Sequence, residues 1–91
     1  MFKNLEELIA IIRQRKESSV EESYTKKLLN NKNLSVEKIK EEIAELIDSM
    51  EKNSNKVHEA ADVLYHLFVL LEANDIKIED VMDELKKRQK K

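Results

Sequence analysis

Residues 59–71 read EAADVLYHLFVLL. Placed on a helix at ~100° per residue, this stretch is apolar in almost every direction. Ala60, Ala61, Val63, Leu64, Leu67, Phe68, Val69, Leu70 and Leu71 surround the axis. The exceptions, Glu59, Asp62 and His66, share a sector of ~60°. A helix apolar nearly all round is expected to be buried. Ionised carboxylates in such a place are costly unless they are paired or coordinate a cation. The question is therefore what faces Glu59 and Asp62, and the best match in the chain is a second acidic pair at the same spacing, Glu42 and Glu45.

Working outward, the flanks read as further helices. Ser35 is a predicted N-cap for a helix to about Lys52, with Val36, Ile39, Ile43, Leu46, Ile47 and Met50 as its apolar stripe. Asn53 to Asn55 form a break, and the central helix follows from about Lys56 to Ala73. Asn74 and Asp75 end it, and Ile76 with Val81 would staple a last helix starting near Lys77. Towards the N-terminus, Leu5, Leu8, Ile9 and Ile12 give residues 3–17 an amphipathic helix, with Arg13, Arg15 and Lys16 suiting its last turn. Residues 18–23 read as a loop and 24–30 as a short helix capped by Ser23, with a turn from Asn30 to Leu34. Nothing reads as a strand. The expected fold is a single all-α domain over 1–91, a bundle of about five helices in which the two acidic helices are antiparallel.

Composition narrows the function. The chain has 91 residues and neither Gly, Pro nor Cys. That removes Gly-rich phosphate cradles, disulfides and thiolate metal sites, and leaves Asn to take left-handed turn positions. Charged residues are 40% of the chain but the net charge is −2, which argues against both a nucleic-acid footprint and disorder. No apolar run is long enough for a membrane span, and no signal segment is evident, so a cytoplasmic location is expected. So short a chain covers an all-round apolar helix poorly, which predicts a homodimer or larger homo-oligomer.

Two Glu-x-x-acid pairs on antiparallel helices can bring Glu42, Glu45, Glu59 and Asp62 together. Carboxylates alone make a hard-oxygen site, suited to Mg²⁺ or Mn²⁺, and Mg²⁺ held so bridges to phosphate oxygens. The substrate implied is a nucleotide or polyphosphate. Periodicity by itself places Glu45 on a solvated face, away from the apolar stripe. His66 reads as a buried hydrogen-bonding residue in preference to a ligand, Lys38 as an i,i+4 partner of Glu42, and His58 carries no functional reading.

Glu42-x-x-Glu45, thirteen residues, then Glu59-x-x-Asp62 resembles the paired acidic motif of the all-α, MazG-like nucleoside triphosphate pyrophosphohydrolases. Within that superfamily, Arg15-Lys16 ahead of Ser23-Tyr24-Thr25, Lys38-x-x-Glu41-Glu42, EAADVLYHLFVLL and the ending DVMDELKKR resemble the phosphoribosyl-ATP pyrophosphatase family. The chain departs from that pattern at Lys40, Asp75 and Asn31–Asn33, regions where the family often has Gly. The resemblance implies Mg²⁺-dependent hydrolysis of phosphoribosyl-ATP, the second step of histidine biosynthesis. It implies Glu42, Glu45, Glu59 and Asp62 as metal ligands and Glu41 as a catalytic residue orienting water or holding a second metal. It implies Arg15, Lys27 and Lys38 as phosphate contacts, Tyr24 packed on the base, and Ser23 and Thr25 hydrogen-bonding the substrate. The acidic motif alone also fits a house-cleaning pyrophosphohydrolase of (d)NTPs, and the helices alone fit a non-catalytic interaction module.

Overall fold

The computed structural model describes residues 2–17 and 23–89. They form five helices: α1 (Lys3–Glu17), α2 (Tyr24–Leu29), α3 (Lys32–Lys52), α4 (Lys56–Ala73) and α5 (Ile78–Gln89). No strand occurs among the described residues, and none of the helices is long and apolar enough to cross a membrane. Most of the expected 18–23 loop, and Lys90 and Lys91 of the basic tail, lie outside the described residues.

The turns bear out the reading of a chain without glycine. Asn53 caps α3 at φ 54°, ψ 46°, and Asn55 stands before α4 at φ 56°, ψ 24°. Asp75, between α4 and α5, has φ 58°. Asn and Asp enter this left-handed region more readily than other side-chain-bearing residues. Two such residues within three fold α4 back along α3.

The start of α3 corrects the sequence reading. The helix begins at Lys32, where the Asn31 side chain accepts from the Leu34 amide at 3.0 Å. Asn30 and Asn31 both have negative φ, so the connection from α2 contains no left-handed turn. Ser35 is a buried helical residue and no cap. Its hydroxyl donates to the Leu28 carbonyl at 2.6 Å, which ties the first turn of α3 to the end of α2. The expected cap of α2 is present, with the Ser23 Oγ accepting from the Lys26 amide. α5 starts one residue after Lys77, as expected.

The core gathers Ile12 of α1, Leu28 and Leu29 of α2, and Phe68, Val69 and Ala73 of α4. Basic residues at the end of α1 reach across to α4 and α5 instead of merely complementing their own helix. Arg13 bonds Glu79 through both terminal nitrogens and lies 3.6 Å from Glu72. Lys16 bonds Asp75 and the Glu72 carbonyl at 2.6 and 2.9 Å. The bond from Arg13 holds the Glu79 carboxyl down at about 2.

The central helix is not buried all round. Only the second half of α4 enters the core, while Val57 is 86% exposed and Leu64 is also exposed. The α3 stripe is likewise split: Ile39 is buried, whereas Ile47 and Met50 are 56% and 55% exposed. The reason is coverage. α1 and α2 pack on one end of the α3–α4 hairpin, and among the described residues no helix covers the other end.

Candidate metal and nucleotide site

The short α3–α4 turn sets the register that brings the acidic pairs together. One carboxylate oxygen from each of Glu42, Glu45 and Glu59 lies within 4.8 Å of the others. Asp62 joins through Glu59, in a second group of the same size with His58. The expected cluster of four is thus two overlapping groups sharing Glu59. Glu45 is exposed, as periodicity expects, yet its carboxylate still reaches both partners at the rim.

The electrostatics are those of a site short of positive charge. One oxygen of Glu42 and one of Glu59 are buried without a hydrogen-bond partner among the described residues. Burial pushes the Glu42 carboxyl above its ordinary range, and the charge of Glu45 adds to the rise. Burial raises Glu59 too, followed by a hydrogen-bonding contribution from Glu45. Buried acceptors without donors are expensive. A hard cation fits this donor set, because carboxylate oxygens at such spacing are what Mg²⁺ and Mn²⁺ take.

The other predicted residues fall around this cluster with different partners. Lys38 pairs with Glu41 at 3.3 Å, one residue short of the Glu42 expected for it. Both ends of that pair are part-exposed. Arg15 donates to the Ser23 hydroxyl at 3.0 Å, so it braces the cap of α2. Thr25 is buried, with its hydroxyl bonded to that of Tyr65. Lys27 is exposed. Tyr24 is 47% exposed, and its hydroxyl lies 3.1 Å from His66 Nε2. His66 is buried and hydrogen-bonded, as read from the sequence, with Nδ1 2.9 Å from the Asp62 carbonyl.

One residue was missed. His58 Nε2 stands 3.3 Å from Asp62 Oδ2. The signal was available, since residues 58 and 62 are one helical turn apart. His58 is exposed, so the pair sits at the outer edge of the site.

Taken together, the α3–α4 hairpin defines a helical protein that brings carboxylates from both arms into one cluster of oxygen donors. The comparisons with known proteins narrow this. A family model described as phosphoribosyl-ATP pyrophosphohydrolase matches residues 5–89, and the chain belongs to that family. The phosphoribosyl-ATP pyrophosphatase of Methanococcoides burtonii is 39% identical over 89 residues, covering 92% of this chain and 90% of that one. The protein of the same name from Clostridium novyi is 41% identical over 91 residues, covering 96% and 82%. The histidine biosynthesis bifunctional protein HisIE of Pyrococcus furiosus is 46% identical over 87 residues; these are 94% of this chain but 41% of the relative. The chain therefore spans most of the single-function relatives and less than half of the bifunctional one.

Proposed function

We propose that this chain is a phosphoribosyl-ATP pyrophosphatase. It hydrolyses the bond between the α- and β-phosphates of N1-(5-phosphoribosyl)-ATP, giving phosphoribosyl-AMP and pyrophosphate, in the cytoplasm and with Mg²⁺ (Mn²⁺ as a substitute). The observation that carries the reading is the pair of buried, unpartnered oxygens on Glu42 and Glu59. They are acceptors that a cation would satisfy, one on α3 and one on α4.

In this reading Glu42, Glu45, Glu59 and Asp62 hold the cation. When bound, a cation there would supply positive charge to the phosphates and make a nearby water more acidic. Phosphoryl transfer asks little covalent chemistry of the protein, so positioning and charge carry catalysis. Glu41, which precedes Glu42 on α3 and pairs with Lys38, orients the attacking water and receives its proton as the new phosphorus–oxygen bond forms and the bridging bond breaks. Lys38 and Lys27 offer ammonium groups to the phosphates, and Arg15, bonded to Ser23 at the cap of α2, offers a guanidinium. Tyr24, at the start of the same helix, presents a ring to the base. The deciding assay offers the protein phosphoribosyl-ATP and a panel of NTPs with Mg²⁺ and scores pyrophosphate. Preference for phosphoribosyl-ATP is expected; equal turnover of ordinary NTPs would overturn the assignment.

Lys38→Ala should lower kcat/KM by roughly ten- to a hundredfold, the scale of a charge-assisted hydrogen bond. Its melting temperature should stay at the wild-type value, because an exposed ion pair contributes little stability. Steady-state kinetics and a thermal melt on one preparation check this. A lowered melt with normal kinetics would make Lys38 structural.

The exposed apolar end of the hairpin supports a homo-oligomer, a dimer or larger. Ile43, Ile47, Met50, Val57 and Leu64 are all exposed in the single chain. Sedimentation at micromolar concentration should find no folded monomer; a folded monomer would leave those side chains in water and defeat the proposal.

A further inference from the structure

Tyr24, Tyr65 and His66 form a three-ring cluster beside the acidic site. The Tyr24 and Tyr65 rings stack with centroids 6.5 Å apart, and His66 meets both edge-on, at 5.9 and 5.0 Å. Among the described residues each ring nitrogen of His66 has one partner. Nδ1 faces the Asp62 carbonyl at 2.9 Å. A carbonyl only accepts, so Nδ1 carries the proton and donates. In the neutral ring Nε2 is then an acceptor, and the Tyr24 hydroxyl 3.1 Å away must be the donor.

That assignment has a consequence for Tyr24. A phenol has one proton. Once it points at His66, only oxygen lone pairs remain for anything else. Among the described residues the charged groups near Tyr24 are Lys38, Glu41 and Glu42, and Lys38 gives one of its three N–H groups to Glu41. Phosphate oxygens are themselves acceptors and gain nothing from such a group.

We infer that His66 is a positioning residue: it turns the Tyr24 hydroxyl into a fixed hydrogen-bond acceptor that reads a hydrogen-bond donor on the nucleoside half of the substrate and ignores the phosphates. This rests on the phosphoribosyl-ATP reading for its substrate, but the direction of the hydroxyl is a property of the free protein. His66 is 7% exposed, and its ring packs edge-on against both tyrosines, so the orientation is built in before substrate arrives.

The test compares wild type with Tyr24→Phe, His66→Asn, His66→Gln and the double variant Tyr24→Phe/His66→Asn. Gln places an amide oxygen near the position of Nε2, whereas Asn reaches only the position of Nδ1. Tyr24→Phe and His66→Asn should each raise KM for phosphoribosyl-ATP about five- to tenfold, the scale of one hydrogen bond, with kcat little changed. The double variant should be no worse than either single one, and His66→Gln should restore most of the affinity. Product inhibition gives a second arm: Tyr24→Phe should weaken phosphoribosyl-AMP and leave pyrophosphate unchanged. Additive losses in the double variant, an equal loss in His66→Gln, or weakened pyrophosphate would overturn the inference. If His66→Asn does not fold, nitrogen-15 spectra of wild type and Tyr24→Phe decide. Nδ1 should be protonated and Nε2 bare, with the Nε2 signal moving in Tyr24→Phe; a protonated Nε2 at neutral pH defeats the proposal. Should wild type fail to hydrolyse phosphoribosyl-ATP, the functional reading falls, and the spectra still judge the hydroxyl's direction.

Discussion

Glu59→Gln should reduce kcat with phosphoribosyl-ATP by more than about 100-fold, since loss of an outer partner alone typically costs 10–100-fold. Glu59 is the residue common to both acidic groups, the one with Glu42 and Glu45 and the one with His58 and Asp62. Removing its charge therefore weakens the whole donor set, where a change at Glu45 would affect one side. The amide keeps the shape of the carboxylate, so no cavity opens. The fold should survive, because the rise in the Glu59 pKa comes first from burial, and burial disfavours the very charge that the substitution deletes. Activity at saturating and limiting Mg²⁺, with a melt in EDTA, tests this. Wild-type turnover at limiting Mg²⁺ would remove Glu59 from the ligand set.

The sequence made this residue conspicuous but could not show its partners. Periodicity located a carboxylate on an apolar helix, and the apolar surroundings made it costly. What it faces depends on the register between α3 and α4, which is set by left-handed backbone at Asn53 and Asn55. A break was legible there; its geometry was not. The same limit explains Glu45. Its own helix places it on a solvated face, and only the opposing arm of the hairpin shows that its carboxylate joins a cluster.

Helix limits were legible where a single residue could cap and ambiguous where two could. Asn and Ser side chains can both accept hydrogen bonds from helix-start amides, so Asn31 and Ser35 were both candidate caps. Asn31 takes that role because Ser35 is engaged with the Leu28 carbonyl, a contact between helices that no local pattern encodes. The apolar character of α4 was equally plain, but hydropathy does not say what covers it. Phe68 and Val69 are covered by this chain and Val57 is not.

Mg²⁺ should stabilise the protein strongly, and Glu42→Gln should lose most of that gain. Glu42 carries a buried, unpartnered oxygen and a raised carboxyl pKa, caused by burial and then by Glu45. A group with a raised folded pKa binds more protons folded than unfolded. Its contribution therefore lowers stability as pH rises from the ordinary Glu range through the raised folded value, and above that the penalty is complete. Glu59 has the same sign, and the neighbouring carboxylates titrate as a coupled set. A cation that binds the ionised folded site relieves this, adding about 2.7 kcal/mol at a hundred times its Kd. Melting temperatures of wild type and Glu42→Gln would be measured from pH 5 to 8 in EDTA and in Mg²⁺. In EDTA at pH 8, Glu42→Gln should be at least as stable as wild type, and its melt should fall less between pH 5 and 8. In Mg²⁺ the wild type should gain much more than the variant. If Glu42→Gln is several degrees less stable in EDTA and Mg²⁺ raises both proteins equally, then the Glu42 carboxylate is a structural acceptor and the hairpin holds no cation there.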